Sequence, residues 1–134
     1  MRPRKTILLV SRDEIHADTL QMVLETRGHY QVVSTWDALS ALELIEAREF
    51  DMLLGELLLR NGEANELARM AKTLRPEMPV ILFSSSVNDY DAACYANQFI
   101  PESLCNSETI LEVVALLICK KRGPKTQGRL RSAA

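Results

Sequence analysis

The sequence predicts an α/β fold in which five parallel strands form one sheet, in the order 2-1-3-4-5, with helices on both faces. Three observations carry that prediction. Short, continuously apolar runs recur along the chain and have the look of strands buried on both sides. Most of these runs are followed by a segment whose apolar residues repeat at i, i+3, i+4, i+7, the spacing of an amphipathic helix. The links between them are short, and strands alternating with helices in this way build right-handed crossovers and a parallel sheet.

Residues 6–10, Thr-Ile-Leu-Leu-Val, form the first strand. Ser11-Arg12-Asp13-Glu14 then reads as a capping box, with Ser11 as the cap. A helix over residues 13–27 follows, burying Ile15, Leu20, Val23 and Leu24, and Gly28 is placed to end it. A second strand over residues 30–35 leads into a helix that buries Ala38, Ala41, Leu42 and Ile45. The third strand is the hub of the chain: Phe50-Asp51-Met52-Leu53-Leu54-Gly55-Glu56 with Leu57-Leu58-Leu59 behind it, ahead of Arg60-Asn61-Gly62. Ligands of open α/β sheets collect outside the carboxyl ends of the strands, so Glu56 stands where chemistry is to be sought.

Leu67, Met70, Ala71 and Leu74 repeat the helical spacing before Arg75-Pro76 stops the third helix. Pro79-Val80-Ile81-Leu82-Phe83 is the fourth strand and ends in Ser84-Ser85-Ser86. A short polar helix is expected over residues 87–96 and a fifth strand over 98–100. Asn106 or Ser107 caps the last helix, Glu108 suits the positive end of its dipole, and Ile110, Val113, Val114 and Leu117 face inward. Five such repeats fit a flavodoxin-like doubly wound sheet. No glycine-rich phosphate cradle follows any strand, because Gly28, Gly55 and Gly62 stand singly.

The formal charge of −2 conceals an asymmetry. From Lys120 onward there are six basic residues and no acid, so the preceding 119 residues carry a net charge of −8. Residues 1–121 are read as one domain, and residues 122–134 as a basic tail too poor in apolar residues to fold. Cys94, Cys105 and Cys119 include no C-x-x-C pair, which favours reduced thiols over a disulfide framework or a zinc site. His16 and His29 have no partner at ligand spacing. No apolar run approaches the roughly 20 residues that cross a bilayer, and the basic start is followed by too short an apolar run for a signal peptide. A cytoplasmic location is expected.

Over roughly residues 5–121 the chain resembles the receiver domain of bacterial two-component response regulators. The likeness is carried by Ile7-Leu8-Leu9-Val10 and the polar pair behind it, by Phe50-Asp51 through Glu56 and Leu57-Leu58-Leu59, by the run from Pro79 to Ser85, and by the run from Ala96 to Leu104. In that family two acids after the first strand hold Mg²⁺, an aspartate ending the third strand accepts phosphate, a Thr or Ser ends the fourth, and a Lys-Pro pair follows the fifth. By that resemblance the acid pair falls on Ser11 and Arg12, with Asp13 one residue out of register. The phosphoacceptor falls on Glu56 and the hydroxyl on Ser84. Phe99 takes the aromatic switch position, and the lysine and proline fall on Glu102 and Ser103. Ser84 and Phe99 alone keep the family's chemistry.

The departures have physical consequences. Mg²⁺ wants oxygen ligands in near-octahedral order, and a guanidinium at Arg12 puts positive charge where the cation would sit. Phosphoryl transfer needs cations around the moving oxygens, and Glu102 supplies an anion. Glu56 carries its carboxylate more than ~1 Å beyond an aspartate's, and a misplacement of about 1 Å can cost ~10²-fold in rate. Mg²⁺ binding is therefore expected to be lost or weak, no other cofactor is implied, and no enzymatic activity is expected. Two accounts of the exchanged signs stand open: Arg12 pairs with Glu56, Glu102 or both in a permanent lock, or the positions drifted once phosphorylation was lost. Ser11 has the plainer reading of a helix cap, and Ser84 that of a strand-end hydroxyl satisfying the backbone.

The expectation is a stand-alone pseudo-receiver working by protein–protein contact in a two-component phosphorelay. The alternative is a working phosphoacceptor that uses Glu56 or a neighbouring residue. Leu111, Ala115 and Ile118 form a second apolar line on the last helix, marking an interface candidate. In receivers the fourth helix, fifth strand and fifth helix serve dimers or output partners, so a protein partner or a homodimer is expected there. The tail has no aromatic to stack on bases and no amphipathic pattern for lipid, so neither nucleic acid nor membrane is expected as a partner.

Overall fold

A computed structural model describes residues 4–56, 63–84 and 95–121. In chain order it holds β1 (Thr6–Val10), α1 (Glu14–Thr26), β2 (Gln31–Thr35), α2 (Ala38–Ala47), β3 (Met52–Glu56), α3 (Glu63–Leu74), β4 (Val80–Phe83), β5 (Gln98–Ile100), a 3₁₀ turn (Glu102–Leu104) and α4 (Ser107–Lys121). The sheet runs β2-β1-β3-β4-β5, every neighbouring pair parallel. The predicted order and the doubly wound fold are thus observed. The expected helix over residues 87–96 falls almost wholly outside the described residues; so do Leu57 to Gly62, Ser85, Ser86, Cys94 and the basic tail.

Side chains alternate across each strand, which divides the core into two layers. Leu8, Val10, Leu53, Val80 and Leu82 face α2 and α3, whereas Ile7, Leu9, Met52, Leu54, Ile81 and Phe83 face α1 and α4. Every residue of β3 is buried, as a strand at the middle of a parallel sheet must be. At Gly55 a Cβ would stand 3.4 Å from the Leu82 side chain, an ordinary contact, so space alone does not call for a glycine there.

Helix orientations depart from the expectation in one consistent way. Ile15 is 80% exposed and Ala17 is buried in its stead, with Leu20 and Leu24; Val23 is half-buried. On α3, Met70 and Leu74 stay outside while Ala64, Leu67, Ala68 and Ala71 are fully buried. Small residues let both helices lie close to the sheet, and the larger apolar groups are left to the rim. On α4, Ile118 is buried in the core with Ile110 and Val114, and Leu111 is half-buried against the same core. The outer line proposed from Leu111, Ala115 and Ile118 is therefore not an exposed stripe; Ala115 is exposed, and so is its neighbour Leu116.

Capping is also corrected. Asp13, not Ser11, is the N-cap of α1, accepting from the His16 backbone N–H at 3.1 Å. Asp37 caps α2 through the Ser40 N–H, and Asn106 accepts from the Thr109 N–H at the start of α4. Gly28 does follow α1, for reasons of space: a Cβ there would come 2.5 Å from the Tyr30 ring. The left-handed residue in that turn is His29, with φ of 61°.

Candidate functional site

Among the described residues the buried polar or charged side chains are Ser11, Glu56 and Ser84, at 4%, 1% and 0% exposure. They stand at or just past the carboxyl ends of β1, β3 and β4, the three central strands. Burying polar groups in an apolar core costs free energy unless they are hydrogen-bonded. Their gathering at one edge therefore has to be explained by specific partners.

The pairing of β1 with β3 sets Val10 beside Gly55, so the next residue on each strand, Ser11 and Glu56, comes side by side. Both continue the face that carries Leu9 and Leu54, toward α1 and α4. The Ser11 hydroxyl donates to Glu56 Oε1 at 2.5 Å. The Asp13 N–H donates to the Ser11 oxygen at 3.1 Å, fixing that hydroxyl from behind. Ser11 thus holds Glu56 where the sequence suggested a helix cap.

Cys105 follows the 3₁₀ turn and packs into the α1/α4 layer. Burial, and next the Glu56 carboxylate, push its thiol pKa up, so it remains a protonated thiol at neutral pH and a poor nucleophile. Spacing had singled out neither Cys105 nor His16. His16 sets its ring edge-on to Phe83 at 5.6 Å, and its buried Nδ1 has no hydrogen-bond partner among the described residues. The β3–β4 register sets Phe83 beside Glu56, but His16 and Cys105 lie on α1 and past the 3₁₀ turn, so no strand register could have placed them.

Arg12 is turned away. Its Nη1 donates to the Trp36 carbonyl at 3.4 Å, and its charge helps hold the Asp37 carboxyl below the usual range, behind the larger effects of the Ser40 backbone N–H and the Ser40 side chain. Of the two open accounts the lock is not seen: among the described residues Arg12 makes no ion pair with Glu56 or Glu102, and the Ser11 hydroxyl bonds Glu56. Glu102 is exposed in the 3₁₀ turn, where its carbonyl accepts from the Cys105 N–H. Ser103 beside it is exposed too. Phe99 is half-buried against the α2/α3 layer. The Ser84 N–H donates to the Ile100 carbonyl at 3.0 Å, tying the end of β4 to β5. Asp51 lies at the opposite end of β3, its carboxylate accepting from the Thr6 N–H at 2.8 Å.

Among the described residues no three of His, Cys, Asp and Glu come together in a way that could hold a metal ion. At the edge the Ser11 hydroxyl donates to Glu56, and one oxygen of the Asp13 carboxylate accepts from the α1 backbone.

No family model matches the chain. Over 79 residues it is 30% identical to the transcriptional regulatory protein ZraR of Klebsiella oxytoca; that stretch is 59% of this chain, and the match spans 18% of the regulator's length. A CheY-like response regulator receiver domain protein from Methanospirillum hungatei superposes with a TM-score of 0.79 at 26% identity, covering 89% of this chain and 97% of that one. The chain has the CheY-like receiver fold. The signal receiver domain of an HD domain-containing protein from Pseudomonas fluorescens shares it at 21% identity and a TM-score of 0.76, covering 90% of this chain and 91% of its own. A two-component response regulator from Clostridium difficile does so at 16% identity and a TM-score of 0.77, over 90% and 100%. Those structures belong to signalling modules, and the receiver fold here presents Ser11, Glu56 and Ser84 at its carboxyl edge. No helix among the described residues is long and apolar enough to cross a membrane.

Proposed function

We propose that this chain is a pseudo-receiver: a module of two-component signalling that does not take up phosphate as receivers do, and that acts from the cytoplasm by contact with partner proteins. The observation that carries the proposal is the buried Glu56 carboxylate bonded by Ser11 at 2.5 Å. By the resemblance, an acid that helps hold Mg²⁺ and an aspartate that accepts phosphate stand at these two positions. Here one is a hydroxyl and the other a longer acid, and they are spent on each other.

Uptake of a phosphoryl group would have to take place on a buried carboxylate whose Oε1 is engaged by Ser11, with no cation of the described residues set beside it. Arg12 faces Trp36 and Asp37, and Glu102 brings negative charge near the edge. Mg²⁺ is accordingly proposed to bind weakly or not at all. The Ser11–Glu56 pair holds the ends of β1 and β3 in one arrangement, so the module presents a constant surface rather than one switched by phosphate.

Incubation with Mg²⁺ and acetyl phosphate, followed by intact mass measurement, tests this reading. No phosphoryl adduct is expected. A stable single adduct mapped to Glu56 or Asp51 sinks the proposal and installs the working phosphoacceptor in its place. The full-length variant S11D/R12D/E56D/E102K restores the family's charges, and Mg²⁺-dependent uptake by it but not by the parent is the positive counterpart.

A further inference from the structure

Trp36, the one tryptophan of the chain, is 64% exposed at the turn between β2 and α2. It walls two adjoining grooves. The larger, about 280 Å³, runs between the start of α1 and the end of β2 and is lined by Ser11, Glu14, Ala17, Asp18, Ser34 and Thr35 as well as the indole. The smaller, about 180 Å³, lies toward Arg12 and Asp37. An indole left largely in water offers contact area at little entropic cost, and tryptophan and arginine are enriched among the residues that dominate protein interfaces.

The chemistry of the larger groove selects its occupant. Glu14 and Asp18 stand four residues apart on one side of α1, both exposed, and neither makes a hydrogen bond or ion pair among the described residues. Like charges at that spacing repel, and a cation between them relieves the repulsion. Hydroxyls of Ser34 and Thr35 line the same groove, and Arg12 is directed to the smaller one. A guanidinium fits this set better than an ammonium, since its planar fork can serve two carboxylates while its face stacks on the indole.

We infer that the Trp36 groove docks an arginine side chain presented by a partner protein. This rests on the reading of the chain as a contact module and names one of its contact surfaces. Ser11 lines the groove and bonds Glu56, so the docked arginine lies one residue from the buried carboxylate.

The test uses the full chain and a dye-labelled hexa-arginine peptide, with Trp36 emission and peptide anisotropy read together. The expected result is a saturable change in Trp36 emission, with affinity falling at least ~10-fold in E14Q/D18N and less than ~2-fold in E43Q/E46Q, which removes two exposed acids from α2 instead. Equal losses in the two variants, or an unchanged Trp36 emission at saturating peptide, overturn the inference by making the binding a diffuse effect of the acidic body. If R122Q/R129Q/R131Q alone shifts Trp36 emission in the peptide-free protein, the occupant is the chain's own basic segment and the partner-protein inference falls. No phosphoryl donor is present, so this result and the intact-mass result stand or fall separately.

Discussion

β3 is bracketed by two acids that tie it to β1, each across 45 residues of sequence, yet the two bonds are different in kind. At the amino edge Asp51 accepts from the Thr6 backbone N–H, while its own N–H donates to the Thr6 carbonyl. That donor exists whatever side chain the sequence places there, and it is half-buried. At the carboxyl edge Glu56 accepts from a side-chain hydroxyl, and both partners are buried. An apolar pair of matching shape would satisfy that site at least as well, because a buried polar pair is seldom more stable than a hydrophobic one. Stability alone accounts for Asp51 and leaves Glu56 in need of another explanation.

The comparison can be broken most directly at Glu56. Glu56→Ala leaves a void and takes from the Ser11 hydroxyl its shorter acceptor, leaving the Asp13 carbonyl at 3.3 Å, and a loss of about 3 kcal/mol, most of it from the void, is expected in urea unfolding. The paired variant Ser11→Ala with Glu56→Leu removes both polar partners and is expected to return to within about 1 kcal/mol of the parent, since replacing both ends of a buried bond is nearly neutral. If the pair stays as unstable as the single variant, the bond is needed for folding and the contrast with Asp51 disappears.

Asp51→Ala is the milder change. The freed Thr6 N–H can turn to water, so about 1 kcal/mol is expected by the same unfolding measurement. A cost matching that of Glu56→Ala would erase the distinction between the two edges.

The smallest effect is at Asp37, an exposed cap whose folded pKa lies below its ordinary 3.8. A carboxylate with a depressed folded pKa contributes stability that is complete above the unfolded value and is lost as pH falls through the folded one. The difference between the parent and Asp37→Asn should hold steady down to about pH 5 and close only below 3.8. A difference that begins to close near neutral pH would show that another group is responsible.

The sheet was readable because β1, β3 and β4 are apolar without interruption, a pattern that a buried parallel strand requires and little else produces. Helix faces were less so. The apolar pattern turns Ile15, Met70 and Leu74 inward, but the alanines Ala17, Ala64 and Ala68 hold the buried places and the larger groups lie outside. The place of Glu56 at the carboxyl edge followed from strand order, and the structure sets it there. Its partner did not follow: Ser11 and Asp13 are both good caps two residues apart, and with Asp13 taking the His16 N–H the Ser11 hydroxyl, fixed by the Asp13 N–H, is left to donate to Glu56. The direction of Arg12 stayed open in the sequence because a long side chain is directed by its surroundings, here the Trp36 carbonyl and Asp37, which lie far off in sequence.

The parity of β3 has one more consequence. Glu56 shares its face with Met52 and Leu54, so a change in this carboxylate disturbs the α1 and α4 layer first, with the full thickness of the sheet between it and α2 and α3.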